Sequence, residues 1–180
     1  MNEAADLKSV AEHGARDDAL AADMQAFYAG VDAAIARHAP VCTNRGLCCN
    51  FKTFGHRLFV TTVELAWFAR GQGAVRRPDS GDACPYQIDG LCTAREHRPL
   101  GCRIFFCDPA AQAWQGDEYE RQLARLKAIG HANGVPYGYV EWLSALGQLA
   151  EPHGDGTAPA EGGDFIDPRR LTVIESPARR

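Results

Sequence analysis

The sequence holds no apolar run near the roughly 18 residues that a membrane-spanning helix requires. Its first fifteen residues carry Glu3, Asp6 and Glu12 and lack the apolar stretch of a leader, which excludes an ordinary secretion signal and points to the cytoplasm. A net charge of −4 leaves no dominant basic footprint for nucleic acid. There is no P-loop, no His-Glu-x-x-His and no Cys-x3-Cys-x2-Cys of the radical-SAM type. Cys-x-x-Cys is also missing, which argues against thioredoxin-like chemistry. Gly71-Gln-Gly73-Ala-Val-Arg76 lacks the third glycine of a dinucleotide fingerprint. Gly162-Gly163-Asp164-Phe165 has the letters of a cyclase signature with no matching domain around it. The most telling absence is local: the first 41 and the last 73 residues contain no cysteine.

All seven cysteines, Cys42, Cys48, Cys49, Cys84, Cys92, Cys102 and Cys107, therefore fall within 66 residues. An odd count in a chain expected in a reducing compartment disfavours a disulfide framework. Inert buried thiols explain one or two such residues, not a cluster of seven. Metal or iron–sulfur ligation is the leading reading. Charge follows the same division. Residues 1–41 are net −4, residues 42–110 net +3 and residues 111–180 net −3. Thiolates bring negative charge, which Arg45, Arg95, Arg98 and Arg103 are placed to offset, lowering thiol pKa values. The plain alternative is that these are ordinary surface arginines.

Three cysteine loops are legible. Cys42-Thr-Asn-Arg-Gly-Leu-Cys48-Cys49 contains Gly46, which lets the chain turn tightly. Cys84-Pro85-Tyr86 is followed by Asp89-Gly90-Leu91-Cys92, where Asp-Gly is a turn that folds Cys92 back toward Cys84. Arg98-Pro99-Leu100-Gly101-Cys102-Arg103 is followed by Cys107. The intervening lengths are five, zero, 34, seven, nine and four residues, so only Cys102 and Cys107 have the spacing of a zinc pair. Nor is the spacing that of a common ferredoxin. Iron–sulfur is favoured over zinc because the thiols outnumber one tetrahedral site and the segment around them is basic. Zinc remains the alternative.

These motifs in this order resemble the YkgJ-type cysteine-cluster family, described as a zinc- or iron-chelating domain and often as an iron–sulfur protein. The resemblance spans about residues 42–107. It implies that the cysteines bind metal, most simply a [4Fe-4S] cluster with zinc as the alternative, in a redox, metal-sensing or accessory role. The family commonly opens with Cys-x-x-Cys-Gly-x-Cys-Cys, and Arg45 stands where its second cysteine would be. Eight-thiolate ligation is thereby impossible, whereas one complete four-cysteine site is not. Cys48, Cys49, Cys84, Cys92 and Cys102 occupy the best-matching positions, with Cys42 and Cys107 as spares. A relative, the flagellin lysine methylase, joins a similar region to methyl transfer, so a metal-dependent protein- or peptide-modifying enzyme is a second reading. No catalytic residue and no cofactor pocket is evident. The expected partner is an unidentified protein or redox partner, with no nucleic acid and no membrane.

The expected fold is mainly α: a small single domain of about residues 17–149, with irregular cysteine-rich loops around the metal centre. Residues 1–41 form an N-terminal helical segment, 42–110 the cysteine-cluster region, 111–150 helices packing on it, and 151–180 a flexible tail. Leu20, Met24, Phe27, Val31 and Ile35 recur at helical spacing up to Pro40. Residues 56–60 suit a short extended piece. Thr61 and Glu64 match a capping box opening a helix to about Arg70, with Gly71 as its end. That assignment gives Glu64 a structural rather than catalytic task. Residues 71–82 read as loop. Another helix spans Asp117 to Ile129, capped by Asp117 and ended by Gly130. Pro136 opens a further helix over Tyr137–Leu149, and 165–174 suits a docked extended strip. His56 and His97 fall inside the cysteine window but suit hydrogen-bonded or surface histidines better than ligands. Asp108 suits a turn or cap.

Overall fold

The computed structural model describes residues 6–42, 46–79 and 82–151. Its elements in chain order are α1 (Leu7–Ala15), α2 (Asp18–Ala36), α3 (Phe51–Phe54), β1 (Phe59–Thr61), α4 (Thr62–Gln72), β2 (Gln87–Ile88), β3 (Leu91–Cys92), α5 (Leu100–Ile104), α6 (Gln115–Ala132), β4 (Tyr139–Glu141) and α7 (Trp142–Leu149). Short 3-10 turns lie at Leu47–Cys49, Arg95–His97 and Pro109–Ala113. The chain is thus mainly helical, as its periodicity indicates.

Helix α2 forms where the apolar spacing places it. Asp17 caps it by accepting from the backbone N–H groups of Ala19 and Leu20 at 2.8 and 3.2 Å. Its five periodic apolar side chains are all buried. Helix α4 has the Thr61–Glu64 capping box in both directions. It is the central helix. Val63 and Ala66 pack with α2, α5 and α6 through Met24, Val31, Leu100 and Leu126. Leu65 and Phe68 face a second group containing Ala11, Tyr86, Trp142 and Leu146. Full burial of each large apolar side chain here stabilises the fold by about 1.5–3 kcal/mol.

Several boundaries differ from the sequence reading. The packed region begins with α1 rather than near residue 17. Ala11 is fully buried, and α1 lies chiefly against α4. Helix α4 continues through Gly71 to Gln72 and ends at Gly73, whose φ is positive at 64°. Helix α6 starts at Gln115 and runs through the buried Gly130 to Ala132, so Asp117 lies in its first turn and Asn133 follows its last residue. The helix expected over Tyr137–Leu149 is shorter, because Tyr139–Glu141 pair antiparallel with β1: Phe59 opposite Glu141, Val60 opposite Val140, Thr61 opposite Tyr139. The N–H of Thr62 donates to Gly138 O at 3.1 Å and continues the ladder. Glu141 then caps α7 by accepting from Ser144 N at 2.8 Å. The expected tail and extended strip lie outside the described residues beyond Glu151, as does the Gly162–Phe165 signature.

Candidate metal centre

The three cysteine loops are brought together by local turns and two close backbone approaches. Asp89 and Gly90, at φ 51° and 82°, make the tight turn of the β2–β3 hairpin, with Gln87 opposite Cys92 and Ile88 opposite Leu91. Gly46, at φ 66°, lies against that turn. A Cβ there would meet Gly90 O at 2.8 Å and Gly90 Cα at 2.9 Å, so only glycine permits the approach. The N–H of Cys84 donates to Cys49 O at 2.8 Å and joins the first loop to the second. The third loop is fastened to the helices by its neighbours. Glu64, buried in the cap of α4, reaches on to accept from the N–H of Leu100 at 2.7 Å. Arg103 is buried, grips both carboxylate oxygens of Asp32 at 3.0 and 2.9 Å and lies over the Tyr28 ring at 4.3 Å. Cys102 sits between these two anchors on α5.

The result is a cavity of about 500 Å³ lined by Cys48, Cys49, Cys84, Cys92 and Cys102. Its wall runs on past the thiols to Phe59, Phe105, Tyr119 and Tyr139 and, among the described residues, contains no Asp or Glu. A second cavity of similar size shares Cys48, Cys49, Cys92 and Cys102 and adds Cys42 and Cys107, which do not line the first. All seven sequence-selected cysteines thus border one of two adjoining spaces. Cys48, Cys49, Cys84, Cys92 and Cys102 are free thiols. They surround a common space without closing on one point: among the described residues, no group of three or more His, Cys, Asp or Glu is gathered into a set that could hold a metal ion.

The thiols are not electrically alike. Cys48 is held down to about 6, first by its hydrogen bond with Cys49, with help from the Arg98 charge. The same bond, reinforced by burial, pushes Cys49 up. Burial pushes Cys84 up against a hydrogen bond from the Trp142 indole, and pushes Cys102 up against the Arg98 charge. Of the four arginines expected to lower the thiols, Arg98 acts on Cys48 and Cys102, but Cys48 is lowered chiefly by its bond with Cys49, and for Cys84 and Cys102 desolvation outweighs the favourable bond and charge.

The named arginines divide accordingly. Arg98 lines both cavities, and its Nε is buried without a hydrogen-bond partner among the described residues. Arg95 lines the second cavity. Arg103 is spent on Asp32 and on the Arg98 and Glu96 carbonyls and lines neither cavity. Arg45 lies outside the described residues. His56 borders the first cavity, with Nε2 3.1 Å from Cys48 O and its ring edge-on to Phe51. His97 lines neither and packs against Trp67 at 4.7 Å between ring centroids. Asp108 caps the turn after Cys107 by accepting from Ala110 N at 3.0 Å. It also accepts from the N–H of Val41, next to Cys42, at 3.1 Å.

The donor set fits a thiolate-bound metal in its chemistry. Five thiols on three loops surround one space, and metal binding would replace the protons that burial holds on Cys49, Cys84 and Cys102. Arg98 Nε, without a partner among the described residues, supplies a buried donor suited to an anionic, sulfur-rich group. Sequence reasoning missed two residues here. Trp142 fell without a role of its own inside the helix expected over Tyr137–Leu149, and Glu64 read as a cap alone. Neither contact leaves a local sequence signal, since Trp142 and Cys84 are 58 positions apart and Glu64 and Leu100 are 36. No family model, curated protein or solved structure matches the chain.

Proposed function

We propose that the protein is a metal-chelating protein of the YkgJ type that binds an iron–sulfur cluster, most simply [4Fe-4S], with its four thiolate ligands drawn from Cys48, Cys49, Cys84, Cys92 and Cys102. Its role is redox, metal-sensing or accessory, toward an unidentified protein or redox partner. One observation carries this reading: five thiols from three separate loops line one cavity. Arg98 supports it as a cation in the wall of that cavity. Bound there, a cluster would supply one-electron chemistry, and the chain's part is to hold the sulfurs, offset their charge and limit water. The substitution of arginine at position 45 keeps zinc as the alternative metal. A metal-dependent modifying enzyme is a second reading, favoured by the apolar continuation of the cavity along Phe59, Phe105, Tyr119 and Tyr139, which leaves room for a substrate beside the thiols.

Protein purified without oxygen tests the proposal by its spectrum and metal content. Broad visible absorption that bleaches on reduction, with about four iron per chain, is the expected result. Serine at Cys48, Cys84, Cys92 or Cys102 should abolish or degrade that absorption, while serine at Cys42 or Cys107 should leave it. Colourless, iron-free protein with stoichiometric zinc overturns the iron–sulfur reading and leaves a structural zinc domain.

A further inference from the structure

Trp142 opens α7 and is buried, with its ring edge-on to Phe68 at 4.7 Å and 85°. Its backbone N–H donates to Leu58 O at 2.8 Å. The side chain is therefore fixed by the β1–β4 junction on one side and the α4 core on the other. A buried indole N–H needs an acceptor. Trp142 Nε1 has one in Cys84 Sγ, at 3.5 Å. Cys84 is itself held by its backbone bond to Cys49 and packs against the same apolar group as Trp142. Trp67 offers the contrast: its Nε1 is also buried but has no partner among the described residues.

We propose that Trp142 is a positioning residue of the metal centre: its indole N–H holds the Cys84 sulfur at the cavity and donates to it when that sulfur is a metal thiolate. The inference rests on Cys84 being a ligand, as read above. An N–H given to a metal-bound thiolate withdraws electron density from the sulfur. It favours the more negative, reduced state of an iron–sulfur centre and so raises its potential. Trp142 thereby joins the electronic state of the centre to the packing of α7.

The experiment compares midpoint potentials of the iron-loaded full chain as wild type, Trp142→Phe and Trp67→Phe. A fourth protein carries 3-benzothienylalanine at position 142, which keeps the indole shape and lacks the N–H. The expected result is a more negative potential for both changes at 142, with iron per chain unchanged in the benzothienyl protein, and no shift for Trp67→Phe. Loss of iron in Trp142→Phe alone, with the benzothienyl protein loaded and shifted, supports the same conclusion. An unshifted, fully loaded benzothienyl protein overturns the inference, as does an equal shift in Trp67→Phe. If wild type carries zinc, release to a chelator at least threefold faster from the benzothienyl protein than from wild type supports it, and equal rates overturn it. Wild type that takes up no metal overturns the metal reading and this inference with it, whereas loaded wild type with an indifferent position 142 overturns the inference alone.

Discussion

Helices α2, α4 and α6 bury their apolar side chains, whereas the stretches on either side of α4, from Val41 and on to Cys107, leave several of theirs in water. Val41, Phe54, Ile88, Leu91 and Phe105 are all exposed there, and Tyr137 is the one further large apolar side chain exposed among the described residues. The helical part is stabilised by apolar burial on two sides of α4. Between α4 and α6 the chain has a two-residue-per-strand hairpin, short turns and the five-residue α5. It is fastened to the helices by polar straps at Glu64 and Arg103. A small, loop-rich segment with little core of its own is the kind that metal ligation stabilises. The difference teaches that the two parts draw on different interactions and should fail separately.

The largest expected effect breaks the helical part alone. Leu126 is fully buried between α2 and α4. Leu126→Ala should cost about 3 kcal/mol through lost transfer energy and a residual cavity. That corresponds to roughly 8 °C in Tm for a domain of this size. Metal content per folded chain should stay at the wild-type value. A fall in stability accompanied by proportional loss of metal from folded protein would show that the two parts are one unit.

The strap between the parts gives a smaller, two-sided effect. Glu64 Oε2 accepts from the Thr61 N–H and hydroxyl at 2.7 and 2.8 Å, while Oε1 accepts from Leu100 N at 2.7 Å and from the Tyr28 hydroxyl at 3.5 Å. Burial pushes its carboxyl pKa up, and these hydrogen bonds pull it back. In Glu64→Gln the amide presents a donor to one of these donor pairs, at a cost of about 2 kcal/mol. Thr61→Ala removes cap bonds and spares the Leu100 contact, at about 1 kcal/mol. Urea denaturation gives both costs. Hydrogen exchange at Leu100 and Cys102 should rise in Glu64→Gln and not in Thr61→Ala. Equal exchange in the two variants would reduce Glu64 to a cap.

The same residue marks how far the sequence could be read. The capping box is legible because Thr61 and Glu64 are three positions apart and their pairing is local. The Asp89–Gly90 turn is legible for the same reason, and the α2 stripe because five residues keep one helical face. Glu64 meeting Leu100 and Tyr28, Arg103 meeting Asp32, and Trp142 meeting Cys84 are long-range pairings that no spacing encodes. The β1–β4 ribbon was missed because three residues are too few to establish alternation. Local preference therefore gave Tyr139–Glu141 to the following helix. The seven candidate cysteines were selected by clustering alone. The motif match sets Cys48, Cys49, Cys84, Cys92 and Cys102 apart from Cys42 and Cys107, and the same five line the first cavity; the close approach of Gly46 to the hairpin turn is a tertiary contact that no spacing encodes.

The smallest effect lies at His97, at the seam between the two parts. Its ring packs against Trp67 of α4, while Glu96 and Arg103 are the charges that act on it. Partial burial lowers its pKa below the ordinary value, Glu96 opposes that shift and Arg103 adds to it. Because the folded value is depressed, the unfolded chain binds more protons between the two pKa values. Stability is then complete above the ordinary histidine value near 6.5 and declines as pH falls through the depressed one. Since His97 is half exposed, solvent screening limits the contribution to a few tenths of a kcal/mol. His97→Gln has no titrating ring, so its stability should fall less than that of wild type between pH 7 and 5, and the gap between them should narrow on acidification. Parallel urea midpoints for the two proteins across that range would show that His97 does not report on the seam.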